Sequence, residues 1–303
     1  MTPPTENKGC RICPRSCPAG SPGYCRTGDG PAVASICLHR GEEPAVSGPE
    51  GICNVFFAHC NLECLFCQNH QISRNRTPLP HDLDSLKSII PAIEAILDRG
   101  ARAVGFVSPS HQIPWMLRII RELRRRGRRP AMVMNTSCYD RAETIAGLEG
   151  EIDLYLPDLK YLDGDLARRW AGAADYPKVA TDALREMFRQ KGAELELDGD
   201  GAATGGLIVR HLVLPGAVEN SRACLRFIAE ELSPDLHLSL LAQYHPTPEV
   251  RGHPVLGRRL REEEYGEVCA EMERLGFHRG WTQELESHGD FLPDFNRQEV
   301  FEG

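Results

Sequence analysis

From Ile52 onward, short runs of β-branched and apolar residues alternate with longer stretches of helical periodicity. That rhythm is the signal for consecutive βα units on a parallel sheet. Six strands are expected, at 52–58, 103–107, 131–135, 152–156, 207–214 and 237–243, with helices at 83–99, 113–126, 141–148, 174–190, 220–232 and 259–275. One excursion interrupts the rhythm: 193–210 reads as two strands joined by the polar turn Asp198-Gly199-Asp200-Gly201. Six βα units predict an α/β fold, an open partial (βα)6 barrel, and such architectures place their chemistry at the C-terminal ends of the strands.

Those strand ends carry polar groups. The first strand runs into Cys60, Cys64 and Cys67, the second into Ser108-Pro109-Ser110-His111, and the third into Asn135-Thr136-Ser137. Pro157-Asp158-Leu159-Lys160 follows the fourth, Arg210 and His211 lie in the fifth, and Gln243-Tyr244-His245-Pro246 ends the last. Thiolates suit iron–sulfur clusters or zinc, and four ligands are the usual complement. A compact Cys-x3-Cys-x2-Cys set of three therefore points to a cluster with one iron open to another ligand. The competing reading is a structural zinc site, for which His59 and His70 are the nearest fourth ligands.

A chain of 303 residues with 41% hydrophobic and 26% charged residues suits one main domain with an appendage. The expected division is a Cys-rich metal-binding segment at 1–50, the barrel at 51–285 and a C-terminal tail at 286–303. No apolar run approaches the roughly 18 residues of a membrane span, and the first residues lack an apolar signal core. A cytoplasmic location is expected, with the 12 cysteines reduced rather than paired in disulfides. The formal net charge of −8 argues against a general nucleic-acid binder and leaves open a local RNA contact. The one basic cluster, Arg118 to Arg129, reads as a solvated face beside a helix end at Gly127.

The triplet, with Phe66 just before its last Cys, resembles the cluster signature of the radical S-adenosylmethionine superfamily. The resemblance implies a 4Fe-4S cluster whose fourth iron is chelated by S-adenosylmethionine, and reductive cleavage of that cofactor to a deoxyadenosyl radical. More of the chain, from Ile52 to about Pro246, resembles the pyruvate formate-lyase activating enzymes, which abstract a hydrogen from a glycine of a partner enzyme. Asn135-Thr136, Leu156-x-Asp158-x-Lys160, the Arg210 to Gly216 strand and Tyr244-His245 carry this likeness. By resemblance, Asn135, Thr136, Asp158, Arg210 and His245 would position the cofactor, while Lys160 and His111 would face the substrate. There are two departures. Ser108-Pro109-Ser110-His111 stands where a Gly-Gly-Glu segment usually follows the second strand, and Asn135 stands where an acidic residue is usual.

Before the barrel, Cys10, Cys13, Cys17 and Cys25 lie among Pro14, Gly20, Pro22 and Gly23, residues that make turns rather than a packed core. Such a segment is expected to need a metal, either zinc or an auxiliary iron–sulfur cluster. The charged run Leu38 to Pro44 either folds over the site or forms an exposed turn. Cys37, Cys53, Cys224 and Cys269 read as small buried hydrophobes, and Cys138 lies close to the Asn135-Thr136 rim.

The leading expectation is a radical S-adenosylmethionine oxidoreductase, with activation of a glycyl radical protein as its reaction and a flavodoxin or ferredoxin as its electron donor. A second reading keeps that chemistry but acts on a peptide, a small molecule or RNA. In a third, of another class, the protein is a non-catalytic iron–sulfur electron carrier or a zinc-stabilised interaction protein.

Overall fold

The computed structural model describes residues 9–79, 81–285, 292–297 and 299–301. Among the described residues, nine strands form one sheet: β1 (Val33–His39), β2 (Ile52–Phe57), β3 (Ala103–Val107), β4 (Ala131–Thr136), β5 (Leu154–Pro157), β6 (Glu196–Leu197), β7 (Ala203–Leu212), β8 (His237–Leu241) and β9 (Gly280–Thr282). Their order is β1-β2-β3-β4-β5-β7-β8-β9, parallel from β2 to β9. β1 runs antiparallel to β2, and β6 pairs antiparallel with β7 as the expected hairpin. All six expected strands are present within a few residues. β1, which precedes the expected boundary at residue 50, belongs to the same sheet as β2. Part of the expected tail, 286–291, 298 and 302–303, lies outside the described residues.

Side chains alternate across a strand, so each strand divides its residues between two faces. Val55, Val104, Met134, Tyr155, Val209 and Leu238 point to the large core shared with the outer helices. On the helix Leu86–Leu97, Ile89, Ile90, Ile93 and Ile96 bury one stripe against it. The helix Ile113–Arg125 does the same through Met116, Ile119, Ile120 and Leu123. Its opposite face carries the arginine cluster in ion pairs, Arg124 with Glu151, Arg126 with Glu94 and Arg128 with Asp98, so this is a solvated face.

On the other face of the sheet, Ile52, Ala103, Val133, Leu154, Leu156 and Ile208 form a second, smaller apolar cluster, joined by Val46 of the short helix Pro44–Ser47. Moving toward the C-terminal ends, the next residues in this alternation are Asn54, Gly105, Asn135, Asp158, Arg210 and Ser239. The inward face is therefore apolar near the strand starts and polar above. Gly105 is required there: a Cβ would lie 2.2 Å from Asn54 Oδ1.

No ladder joins β9 to β1 among the described residues, so the barrel is open. The C-terminal segment packs against the β1–β2 end. Phe301 stacks on His39 with ring centroids 3.9 Å apart, and Phe295 meets Phe56 edge-on at 5.1 Å. Gln71 donates to Asp294 Oδ1 at 3.1 Å and accepts from the Phe295 amide at 2.7 Å. Among the described residues, no helix is long and apolar enough to cross a membrane.

Candidate functional site

The loop after β2 delivers Cys60, Cys64 and Cys67 to the mouth of a cavity of about 490 Å³ enclosed by the curved sheet. Cys60 and Cys64 are buried and Cys67 half-buried, and each sulfur lies within electrostatic reach of the others. Burial pushes the Cys64 thiol up to about 12, while the nearby Lys160 ammonium opposes that shift. Cys60 Sγ accepts the Leu62 amide at 3.3 Å and Cys67 Sγ accepts the Ser73 hydroxyl at 3.3 Å. His59 is not available as a zinc ligand, because its ring nitrogens face the carbonyls of Cys25 at 2.6 Å and Thr77 at 2.9 Å.

Beneath the sulfurs lies a continuous network of charges. Lys160 Nζ donates to Asp158 Oδ2 at 2.7 Å, and Arg210 Nε donates to Asp158 Oδ1 at 2.9 Å. The same guanidinium donates to Asn135 Oδ1 at 2.7 Å and Glu42 Oε2 at 3.0 Å, and Asn54 Nδ2 donates to Glu42 Oε1 at 2.9 Å. Glu43 Oε2 lies 3.9 Å from Arg210 Nη1. Burial alone would raise the Asp158 carboxyl, but Lys160 and Arg210 outweigh it and hold the group down to about 2. Glu43 behaves oppositely: burial raises its carboxyl, and Arg210 only partly offsets that.

The structure thus brings together Cys60, Cys64, Cys67, Asn135, Asp158, Lys160 and Arg210 around one cavity. Three residues expected to share it do not line it. Thr136 points away, its hydroxyl bonded to Asp140 and to Ser110 Oγ at 3.1 Å. His111 is buried behind the sheet end with Nε2 2.9 Å from the Ala58 carbonyl, and burial lowers its imidazole to about 4. A strand end delivers alternate residues to opposite faces, and both fall on the far one. His245 follows the cavity-lining Gln243 and the buried Tyr244, whose hydroxyl donates to the Leu256 carbonyl at 2.6 Å. Cys138 is likewise buried away from the cavity, against the Ala180 carbonyl at 3.4 Å.

Sequence reasoning missed Glu42 and Glu43 as site residues. Their run was read as either a cover or an exposed turn, and the antiparallel β1 settles the matter by returning the chain to the cavity floor. Ser108, in place of the usual glycine segment, adopts a left-handed φ of 54° at the cavity wall.

The four N-terminal cysteines gather beside this loop. Burial, followed by the neighbouring Cys10, Cys25 and Cys17, raises the Cys13 thiol to about 11, with the Arg15 amide opposing. Among the described residues, no three His, Cys, Asp or Glu side chains are arranged to hold a single metal ion.

No protein-family model matches the chain. Over 267 residues it is 26% identical to an uncharacterized protein of Methanocaldococcus jannaschii, covering 85% of this chain and 72% of that one. Streptococcus suis SuiB, solved bound to S-adenosylmethionine, matches with a TM-score of 0.50 at 13% identity over 76% of this chain. HydG, a maturase of the FeFe hydrogenase, matches with a TM-score of 0.50 at 10% identity, also over 76%. The chain spans about half the length of both solved proteins, covering 50% of each. At these identities the likeness is one of fold: the chain shares its parallel α/β fold with SuiB and HydG.

Proposed function

We propose that the protein is a radical S-adenosylmethionine enzyme, with Cys60, Cys64 and Cys67 holding a 4Fe-4S cluster and the cavity beneath them holding the cofactor and the reacting part of the substrate. The observation that carries this reading is the opening of three thiols from one loop onto a cavity whose wall carries the Lys160–Asp158–Arg210–Glu42 network. SuiB, which shares the fold, was solved with S-adenosylmethionine bound, in keeping with the same cofactor here. The bound cluster and cofactor would supply a one-electron reductive cleavage and a carbon radical that abstracts hydrogen.

The chain's own residues bind and orient. Lys160 presents its ammonium beside Cys64, where it attracts a carboxylate or the thiolate itself. Asp158, held ionised by two cations, offers an acceptor to an ammonium group. Asn135, bonded to Arg210, replaces an acid with a neutral acceptor, which removes one charge from any cation site there. His245 and Thr136, beside the cavity rather than in it, would act only through neighbours that line it. Phe301 and Pro293 of the C-terminal segment also line the cavity.

For the substrate, we infer a glycyl radical protein, following the activase-like pattern at Asp158-x-Lys160 and Arg210, with a flavodoxin or ferredoxin as donor. The test is anaerobic incubation of the reconstituted protein with S-adenosylmethionine and a strong reductant, alone and with candidate proteins, following deoxyadenosine and methionine. Both products should form with the native chain and fall to background with Cys64→Ala. A fully loaded cluster that forms neither product under any of these conditions overturns the reading.

A further inference from the structure

We propose that Cys10, Cys13, Cys17 and Cys25 hold a second iron–sulfur cluster, and that it passes electrons to the cluster at Cys60, Cys64 and Cys67 along the contact between Cys25 and His59. The second half of this proposal rests on the reading of the Cys60 triplet given above; the first half does not.

The segment that carries these cysteines has neither helix nor strand from Gly9 to Ala32. An irregular stretch of that length is unusual in a compact domain and requires something to hold it. Its own fully buried apolar side chains are few, Cys13 and Ala32. All four cysteines are free rather than disulfide-bonded, and Cys13 lies within electrostatic reach of Cys10, Cys17 and Cys25. Two of the sulfurs already have polar neighbours: Cys17 Sγ accepts the Tyr24 amide at 3.2 Å, and Cys25 Sγ lies 3.4 Å from Thr27 Oγ1. The sulfurs at Cys60 and Cys67 are dressed in the same way. Hydrogen bonds to sulfur are one of the means by which a protein sets cluster potential.

The segment is seated on the Cys60 loop at defined points. His59 Nδ1 meets the Cys25 carbonyl at 2.6 Å, and His59 is covalently joined to Cys60. Arg15 Nε donates to the Asn61 carbonyl at 2.8 Å on the other side of Cys60, and Nη1 donates to Gly172 at 2.9 Å. The Arg15 guanidinium also lies over the Tyr24 ring, 3.9 Å from its centroid. Of the five non-glycine residues with positive φ among the described residues, three adjoin these cysteines: Ser16 beside Cys17, Arg26 beside Cys25 and His59 beside Cys60. Left-handed backbone at such residues persists only where the surroundings enforce it. The route from one cysteine set to the other is thus one hydrogen bond and one residue of chain.

The electron balance is simple. A low-potential one-electron carrier protein is oxidised by one electron as the N-terminal cluster is reduced. That cluster is reoxidised as the Cys60 cluster takes the electron. No bond is broken in the relay, and no proton has to move.

The test begins with the native full chain, reconstituted anaerobically, by iron, sulfide and zinc analysis together with Mössbauer spectroscopy. Iron for two clusters is expected. Iron for one cluster only, or zinc in place of the second, overturns the proposal. A chain with Cys60, Cys64 and Cys67 all changed to Ala should keep one cluster whose spectrum S-adenosylmethionine does not alter. In the native chain, S-adenosylmethionine should alter one of the two signals. Two clusters with neither responding would overturn the proposed function while leaving the second cluster in place. For the relay, His59→Phe keeps all seven cysteines and removes the ring's bond to the Cys25 carbonyl. Reduction of the Cys60 cluster by a reduced ferredoxin should slow by about tenfold or more while reduction by dithionite is unchanged. Equal slowing with both reductants, or no slowing, overturns the relay.

Discussion

The two cysteine sets reach the same corner of the molecule by opposite means. Cys60, Cys64 and Cys67 follow a strand whose six residues are all buried, in a sheet continuous from β1 to β9. Cys10, Cys13, Cys17 and Cys25 stand on irregular backbone pinned by single side chains such as Arg15 and Thr144, whose hydroxyl donates to the Ile12 carbonyl at 2.9 Å. The first set is placed by a scaffold with its own hydrophobic core, while the second has little buried apolar surface of its own and is held by side-chain bonds such as Gln112 Nε2 to Thr27 Oγ1 at 2.8 Å, together with whatever its sulfurs bind. Each of those bonds contributes about 1 kcal/mol, so order in the N-terminal segment depends on what its sulfurs bind far more than order in the Cys60 loop does.

Withholding iron should expose that difference most strongly. In metal-free protein, amide exchange over residues 10–27 should accelerate by orders of magnitude while β3 and β4 keep their protection, since ligand binding free energy becomes folding free energy only where no independent core exists. Hydrogen exchange read by mass spectrometry decides. Uniform loss across both regions would mean that the barrel also needs its cluster to fold, and the comparison would fail.

Within the barrel, the largest effect should come from Arg210→Ala. It leaves Asp158, Glu42 and Glu43 in the cavity wall without their shared cation. Removing one partner from a buried ion network typically costs about 3–5 kcal/mol. Urea unfolding should show that loss with the slope unchanged; a cost below about 1 kcal/mol would mean that water already screens the network.

How much of this was legible in the sequence follows from what each signal measures. Hydrophobic alternation placed the strands well because burial of one face fixes both their extent and their direction. The edge strands β1 and β9 were missed: β1 has neither a helix before it nor parallel pairing to mark it, and β9 has only three residues. The helix Gly164–Ala171, begun by the Asp163 side chain capping the amides of Asp165 and Leu166, was also missed, because Asp-Gly-Asp reads as a turn. Of the residues singled out by spacing, the triplet, Asp158 and Lys160 line the cavity, whereas His111 and Thr136 do not, since closeness to a strand end does not say which face a side chain takes. Glu42 and Glu43 needed the tertiary fold, because only the return of β1 brings their loop to Arg210.

Acid should sharpen the contrast at the cavity. Asp158 has a folded-state value of about 2 against an ordinary 3.8. A depressed carboxyl contributes stability that is present above its unfolded value and is lost as pH falls toward the folded one. Over that window the native chain should lose about 2 kcal/mol through this group. Asp158→Asn should be less stable near neutral pH and should lack this part of the acid slope. Denaturant midpoints between pH 2 and 6 check it; identical slopes in both chains would place the acid sensitivity elsewhere, in the surface pairs.

The smallest effect separates the two carboxylates that sit side by side on the cavity floor. Glu42 pairs with Arg210 at 3.0 Å and accepts from Asn54, whereas Glu43 is buried 3.9 Å from the same guanidinium, with its Oε2 making no hydrogen bond. Burial raises Glu43, so its proton is held to higher pH in the folded chain than in the unfolded one. The associated stability is complete below the unfolded value and is lost as pH rises through the folded one. Glu43→Gln mimics the protonated carboxyl at every pH, so it should match the native chain under mild acid and equal or exceed it by up to about 1 kcal/mol in mild alkali. Glu42→Gln should instead weaken the protein near neutrality by removing a charge that Arg210 meets directly. If Glu43→Gln proves the more costly of the two, Glu43 is ionised and Arg210 depends on both carboxylates. The cavity floor would then carry one more negative charge for a cationic group to meet.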